Sequence, residues 1–290
     1  MSDYSDPFFQ VPQTSYSTTQ GDVDLPILYF DTSTLLAFFV ADRDAVEAKL
    51  SGTGLQPALT IGGRALVGVA HYEYRQTGVG TYNEVGVALP VLPEGAPAPR
   101  NPIQALYGSV DERHMGFHIL DLPVTTPAAN AAGRELWGYP KFVAPIPFHL
   151  DRKGFECSVV DPDGHGDIVT LSGRLLPSLP VPPMSLVLYS HHQGDLWRTV
   201  VNVRGRTNLR PGRSLKLRVG ESTHRMANNL RDLGLDGAHP IIVMDTHRFQ
   251  SRLNAGVPVG TVATRAATTA SQRSEDIASA QHSAGQSHRH

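Results

Sequence analysis

Lys141 lies in the mostly apolar run GRELWGYPKFVAPIPF, residues 133–148, between Pro140 and Phe142. An ammonium group kept from water is driven toward its neutral form, because desolvation penalises the charge, and a neutral amine is a nucleophile toward a carbonyl carbon. The same spacing also fits a lysine whose stem lies along apolar surface with its head in water. A second candidate is Glu84 in GTYNEVGVALPV, residues 80–91. It stands between Tyr82 and a run of Val, Ala and Leu, where a buried carboxylate needs a partner. A strand edge facing water is the other place for it.

Other chemically suggestive groups are weaker. The stretch DPDGHGD, residues 161–167, starts like a calcium loop, but Ser172 stands where such a loop needs its bidentate glutamate, so a hairpin turn is expected. His114 and His118 have the i, i+4 spacing of a zinc helix, yet Gly116 and the β-like pattern that follows argue against one. His191 and His192 would point to opposite faces of a strand. Cys157 is the only cysteine, which excludes an intrachain disulfide and a cysteine-built metal site and fits a reducing cytoplasm. No Gly-x-Ser-x-Gly, Walker or Gly-x-Gly-x-x-Gly string occurs, so serine-hydrolase and nucleotide-binding readings lack support. Neither a metal nor an organic cofactor is expected.

The elements that would position Lys141 and Glu84 are mostly strands. ALVGVAHYEY, EVGVALPVL, GFHILDLPV, FECSVV, DIVTLSGRLL, SLVLYS, RTVVNV, SLKLRVG and PIIVMD are short segments rich in Val, Ile, Leu and Tyr, punctuated by Gly, Pro and Asp. Their spacing predicts a mainly β (α+β) protein whose sheet closes or folds over. Helices are expected after Asp42, from Asn101, from Thr126 and near THRMANNLRDL. The basic cluster RGRTNLRPGR, residues 204–213, with its Pro-Gly pair, is expected to be a solvated hairpin end.

At 290 residues and 40% hydrophobic content the chain can bury a substantial core. One domain from residue 21 to 260 is preferred over two. Residues 1–20 read as a polar arm that orders only by docking, and residues 261–290, with no Leu, Phe, Tyr or Trp, as a disordered tail. A formal net charge of -2 offers no broad basic field for nucleic acid or an anionic membrane surface. TLLAFFVA, residues 34–41, is too short to span a bilayer, and no Lys or Arg precedes Arg43, so no signal or transit peptide is expected.

GRELWGYPK resembles the active-site segment of the acetoacetate decarboxylases, in which a Gly-Arg-Glu-Leu-x-x-Tyr-Pro-Lys string ends in the Schiff-base lysine, and GTYNEVGVALPV resembles their Tyr-x-Glu segment. The similarity in order and separation runs from about Pro26 through the HPIIVMD strand. It implies a β-cone or barrel with a few flanking helices, a homo-oligomer, Lys141 as the amine nucleophile and Glu84 as acid or base. Trp137, Tyr139, Phe142 and Tyr82 are then expected at the substrate, a small oxo acid or ketone. At pH 7 an ordinary lysine is neutral in only about 0.04% of molecules, so attack requires activation. Acetoacetate decarboxylase is itself a standard example of that activation, by a hydrophobic pocket or a neighbouring cation. Here Phe142 replaces the adjacent lysine, which leaves desolvation by Trp137, Tyr139 and Val143. No basic residue occurs near Thr32, where the family's carboxylate-binding arginine is expected. The family's other pocket glutamate would fall at Val69, with Glu73 close but out of place. These departures resemble the divergent branch of the superfamily, which uses the iminium for aldol condensation, dehydration or cyclisation of 2-oxo acids. A non-catalytic ligand-binding barrel is the alternative.

Overall fold

The computed structural model describes residues 5–99 and 101–259. In chain order the elements are β1 (Thr14–Thr18), β2 (Gly21–Leu25), β3 (Ile27–Ala41), α1 (Arg43–Leu50), β4 (Leu55–Pro57), β5 (Thr60–Ile61), β6 (Arg64–Thr77), β7 (Tyr82–Pro93), α2 (Pro102–Tyr107), β8 (Gly116–Val124), α3 (Pro127–Trp137), β9 (Lys141–Val143), β10 (Phe148–Leu150), β11 (Gly154–Val160), β12 (Asp167–Arg174), β13 (Leu179–Val181), β14 (Leu186–His192), β15 (Asp195–Arg204), β16 (Thr207–Pro211), β17 (Leu215–Val219), α4 (Arg225–Asp232), β18 (Ile242–Leu253) and β19 (Val257–Pro258). The expected tail from Thr261 lies outside the described residues.

Among the described residues, seven strands close into a barrel in the order β18-β3-β6-β7-β8-β14-β15, with β15 pairing back onto β18. The β8–β14 pair is parallel, and every other pair in the ring is antiparallel. Alternation of side chains along each strand gives the barrel two faces. Leu35, Ala37 and Phe39 of β3, Val67 and Val69 of β6, and Val85, Val87 and Leu89 of β7 belong to the main core. A second sheet, β10-β11-β12-β17, joins that core through Phe155, Cys157, Ile168, Leu171 and Leu217, as does α4 through Met226 and Leu230. Residues of the opposite parity face the barrel interior. Both faces of the central strands are therefore covered, which explains why TLLAFFVA reads as a continuous apolar run. No helix among the described residues is long and apolar enough to cross a membrane.

The helices start where the sequence supplies a cap. Asp42 accepts the N–H groups of Asp44 and Ala45 at the head of α1, and Thr126 accepts that of Ala129 at the head of α3, with Pro127 in the first turn. DPDGHGD is the β11–β12 turn. Asp161 there accepts the Asp163 N–H and the Ser222 hydroxyl, and no cluster of metal-ligating side chains occurs among the described residues.

The basic hairpin departs from expectation. Arg204 grips the Asp6 carboxylate through both terminal nitrogens and lies over the Phe8 ring at 4.6 Å, while Arg210 is paired with buried Asp245. These two guanidiniums are engaged in ion pairs rather than solvated. The first of them fastens the amino-terminal segment, where Phe9 is buried against Phe30 and β1 pairs with β2.

Candidate active site

The GRELWGYPK segment is knitted to itself by the end of α3. Gly138 closes the helix in the left-handed region, with φ of 68°, and its N–H bonds to the Arg134 carbonyl. The Tyr139 N–H reaches back to the Gly133 carbonyl, and the Arg134 guanidinium donates to the carbonyl of Lys141. The chain thus turns through Tyr139 and Pro140 into β9, a three-residue strand parallel to β8 in which Lys141 pairs with Leu122. The lysine stem crosses α3 at Gly133: a Cβ there would lie 2.4 Å from both Cδ and Cε of Lys141. Glycine is required at that crossing because any side chain would occupy the path of the stem.

Glu84 arrives from β7, opposite Tyr72 of β6 and Val124 of β8. Lys141 Nζ donates to Glu84 Oε2 at 2.7 Å, the separation of a charge-assisted hydrogen bond, and each residue is only 7% exposed. The Tyr74 hydroxyl donates to Glu84 Oε1 at 3.3 Å. Tyr29 and Tyr82 share a hydroxyl contact at 3.2 Å, and Nζ lies 5.7 Å from the centre of the Tyr82 ring. Burial pushes the phenols of Tyr29, Tyr72, Tyr74, Tyr82 and Tyr139 upward, and the Glu84 charge adds to the effect. These rings remain phenols, able to donate hydrogen bonds.

The pair faces a cavity of about 120 Å3 inside the barrel, to which all seven ring strands contribute. Such a volume is well above what one water needs, roughly 10–15 Å3, and close to the roughly 150 Å3 of an apolar cavity that admits benzene. Its space comes from four small residues at facing positions, Gly68 opposite Ala88 and Ala70 opposite Gly86. A smaller cavity of about 10 Å3 adjoins the lysine stem and touches Gly133, Trp137 and Tyr82.

The sequence profile described as Acetoacetate decarboxylase (ADC) matches residues 10–204, more than half of the chain. The chain belongs to the acetoacetate decarboxylase family. Among curated proteins none matches its sequence. Similar solved structures include the acetoacetate decarboxylase of Legionella pneumophila subsp. pneumophila str. Philadelphia 1, 17% identical over 88% of this chain and 95% of that one, with a TM-score of 0.58. The enduracididine biosynthesis enzyme MppR complexed with pyruvate is 13% identical over 86% and 98%, with a TM-score of 0.58. An acetoacetate decarboxylase-like enzyme from Sphingomonas wittichii RW1 is 12% identical over 82% and 94%, with a TM-score of 0.53. At these identities the likeness is one of fold.

Within this family fold, the residues singled out by sequence divide into two groups. Lys141, Glu84 and Tyr139 line the larger cavity, and Trp137 and Tyr82 line the smaller one beside the lysine stem. Trp137 is buried, stacks on Tyr139 and donates to the Asn254 carbonyl. Phe142 lines neither cavity. Strand alternation turns it away from Lys141 onto the His224 ring, 4.4 Å distant, and the main core. Val143, expected to help desolvate the amine, is 39% exposed and also lies outside both cavities.

The family departures can now be placed. Glu73 is ion-paired with Arg75 and absent from the cavity lining, and Arg75 also binds Asp31. Thr32 is buried in β3. Sequence reasoning missed Tyr29, Tyr72 and Tyr74, which reach the site from β3 and β6. The alternating tyrosines of HYEY were the available signal, since a period of two places Tyr72 and Tyr74 on the face that also carries Gly68 and Ala70.

Proposed function

We propose that the protein is a lysine Schiff-base lyase that acts on a small oxo acid or ketone through Lys141, with Glu84 moving protons. The observation that carries this reading is the 2.7 Å contact between two buried, oppositely charged groups at the wall of an apolar cavity. Glu84 accepts a proton from the ammonium, and the freed nitrogen attacks the substrate carbonyl. A carbon–nitrogen bond forms, Glu84 returns its proton to the former carbonyl oxygen, which leaves as water, and a protonated imine remains beside the regenerated Glu84 carboxylate. That cation draws electrons from the adjacent carbon. Loss of an α-proton to Glu84, or of a carboxylate as carbon dioxide, gives an enamine, which then takes a proton or adds to an aldehyde. Aldol and dehydration steps are favoured over decarboxylation of acetoacetate, because no cation other than Lys141 lines the cavity among the described residues.

Borohydride trapping tests the reading. With pyruvate or a simple ketone, the reduced adduct is expected on the Lys141 peptide and absent from Lys141→Ala. Glu84→Gln should still form the adduct but slow turnover by roughly 10²- to 10⁴-fold, the usual contribution of a general acid or base. Labelling confined to other lysines, or none with any carbonyl compound, would leave a ligand-binding barrel as the better account.

A further inference from the structure

The charges around the larger cavity are few and already paired. Lys141 and Glu84 neutralise one another across 2.7 Å, and the remaining polar lining consists of tyrosine and serine hydroxyls such as those of Tyr72, Tyr139 and Ser251. Among the described residues, no arginine, histidine, aspartate or second lysine contributes to this lining. Three basic groups on the ring strands are engaged elsewhere. Arg75 holds Asp31 and Glu73, Arg204 holds Asp6, and His71, of the opposite strand parity, bonds to the Leu35 carbonyl and packs on Phe155.

We infer that the substrate is an uncharged carbonyl compound with an apolar body, of the methyl-ketone or aldehyde class bearing an alkyl or aryl tail, and not an oxo acid. This rests on the Schiff-base reading of Lys141 and narrows its substrate class.

Charge balance decides between the two classes. Before reaction the buried site holds one ammonium and one carboxylate. With a neutral ketone it holds one iminium and one carboxylate, so its net charge is unchanged. With an oxo acid it holds one iminium and two carboxylates, and the extra charge is buried without a counterion, which low-polarity surroundings penalise heavily. Shape points the same way. From the Lys141 end the cavity extends past Gly68 and Ala88 to a wall of Phe38, Phe117 and Met184, where no polar side chain among the described residues meets a second functional group. An extended apolar tail fills this space, whereas pyruvate would leave most of it empty.

The test uses the full chain and a matched pair, 4-phenylbutan-2-one and 2-oxo-4-phenylbutanoic acid, with pyruvate as a third probe. Each is trapped with borohydride, and the Lys141 peptide is quantified by mass spectrometry. Because oxo acids are intrinsically more electrophilic, each yield is divided by that of Nα-acetyllysine amide under the same conditions. On this scale the neutral ketone should label Lys141 at least about tenfold more than its acid. Across a series of straight-chain 2-alkanones, labelling at limiting concentration should rise by about fourfold per added methylene until the far wall is met. Labelling by the acid equal to or above that of the ketone, or a flat alkanone series, would overturn the inference while leaving Lys141 a Schiff-base former. No adduct with any of the compounds would overturn both.

Discussion

A methyl group added to Gly133 would meet the Lys141 stem at 2.4 Å, while the helix around it gains from the change, since alanine is worth about 1 kcal/mol over glycine in a helix interior. The end of a lysine side chain is the cheapest thing to move. Gly133→Ala should therefore keep the fold and displace the amine, lowering borohydride labelling of Lys141 by about a hundredfold, the cost typical of a 1 Å misplacement. Unchanged circular dichroism with lost labelling is the expected signature; unchanged labelling would show that the stem has another path. His71 supplies a pH prediction. Burial lowers its pKa from 6.5 to about 4, against a smaller upward pull from the Leu35 carbonyl. Between those values the unfolded chain binds a proton that the folded chain refuses. This stability is thus fully present above about pH 6.5 and lost as pH falls toward 4, by about 3 kcal/mol in all. Urea unfolding at pH 7 and pH 4.5 measures the loss. An imidazole titration midpoint near 6.5 in the folded protein would contradict it.

The end of α3 is the element on which the site depends. Gly138 takes up φ of 68°, and a Cβ there would lie 2.1 Å from the His191 carbonyl oxygen, which is backbone and cannot swing aside. Gly138→Ala is expected to cost about 2 kcal/mol or more, from left-handed strain together with the clash, read as a lower urea midpoint. This helix was legible in the sequence because Thr126, Pro127 and Gly138 are start and stop signals in themselves. The α4 boundary was less so, since its capping residue is His224, whose Nδ1 accepts the Met226 N–H in place of the usual hydroxyl or carboxylate. The strands were readable as strands, but their partners were not. Nothing local in FECSVV, DIVTLSGRLL or SLKLRVG tells that they leave the barrel and form a sheet of their own. Phe142 was misplaced by reading adjacency in sequence as adjacency in space; a strand separates neighbours onto opposite faces.

Across the whole molecule, the cavity was the least legible feature, because it is built from missing side chains on two strands whose register only the folded sheet defines. Lys141 and Glu84 are 57 residues apart, and the four small positions between Gly68 and Ala88 look like weak strand residues when read singly. Gly68→Ala checks that they are kept small for room. A Cβ at Gly68 would meet only ordinary contacts, the nearest being Phe38 Cε1 and the Ala88 carbonyl oxygen at 3.7 Å, so stability should rise by about 0.5–1 kcal/mol in denaturant titrations while binding of bulky ketones weakens. A loss of stability would mean that the strand needs glycine for its backbone. The two-faced parity of β6 and β7 also limits how this chain can diversify. Even-numbered positions from Gly68 to Tyr74 and from Glu84 to Ala88 line the cavity, whereas Val69, Val85 and Val87 between them belong to the main core. Point substitutions at the small even positions Gly68, Ala70 and Ala88 can reshape what the barrel accepts while the core face is left intact. A single-residue insertion or deletion within either strand would exchange the two sets, sending valines into the cavity and Glu84 into the core. Inherited length changes should therefore collect in the β6–β7 turn at Gly78–Thr81 and stay out of the strands, so descendants of this chain can differ widely in substrate while keeping the same residue count between Gly68 and Tyr74.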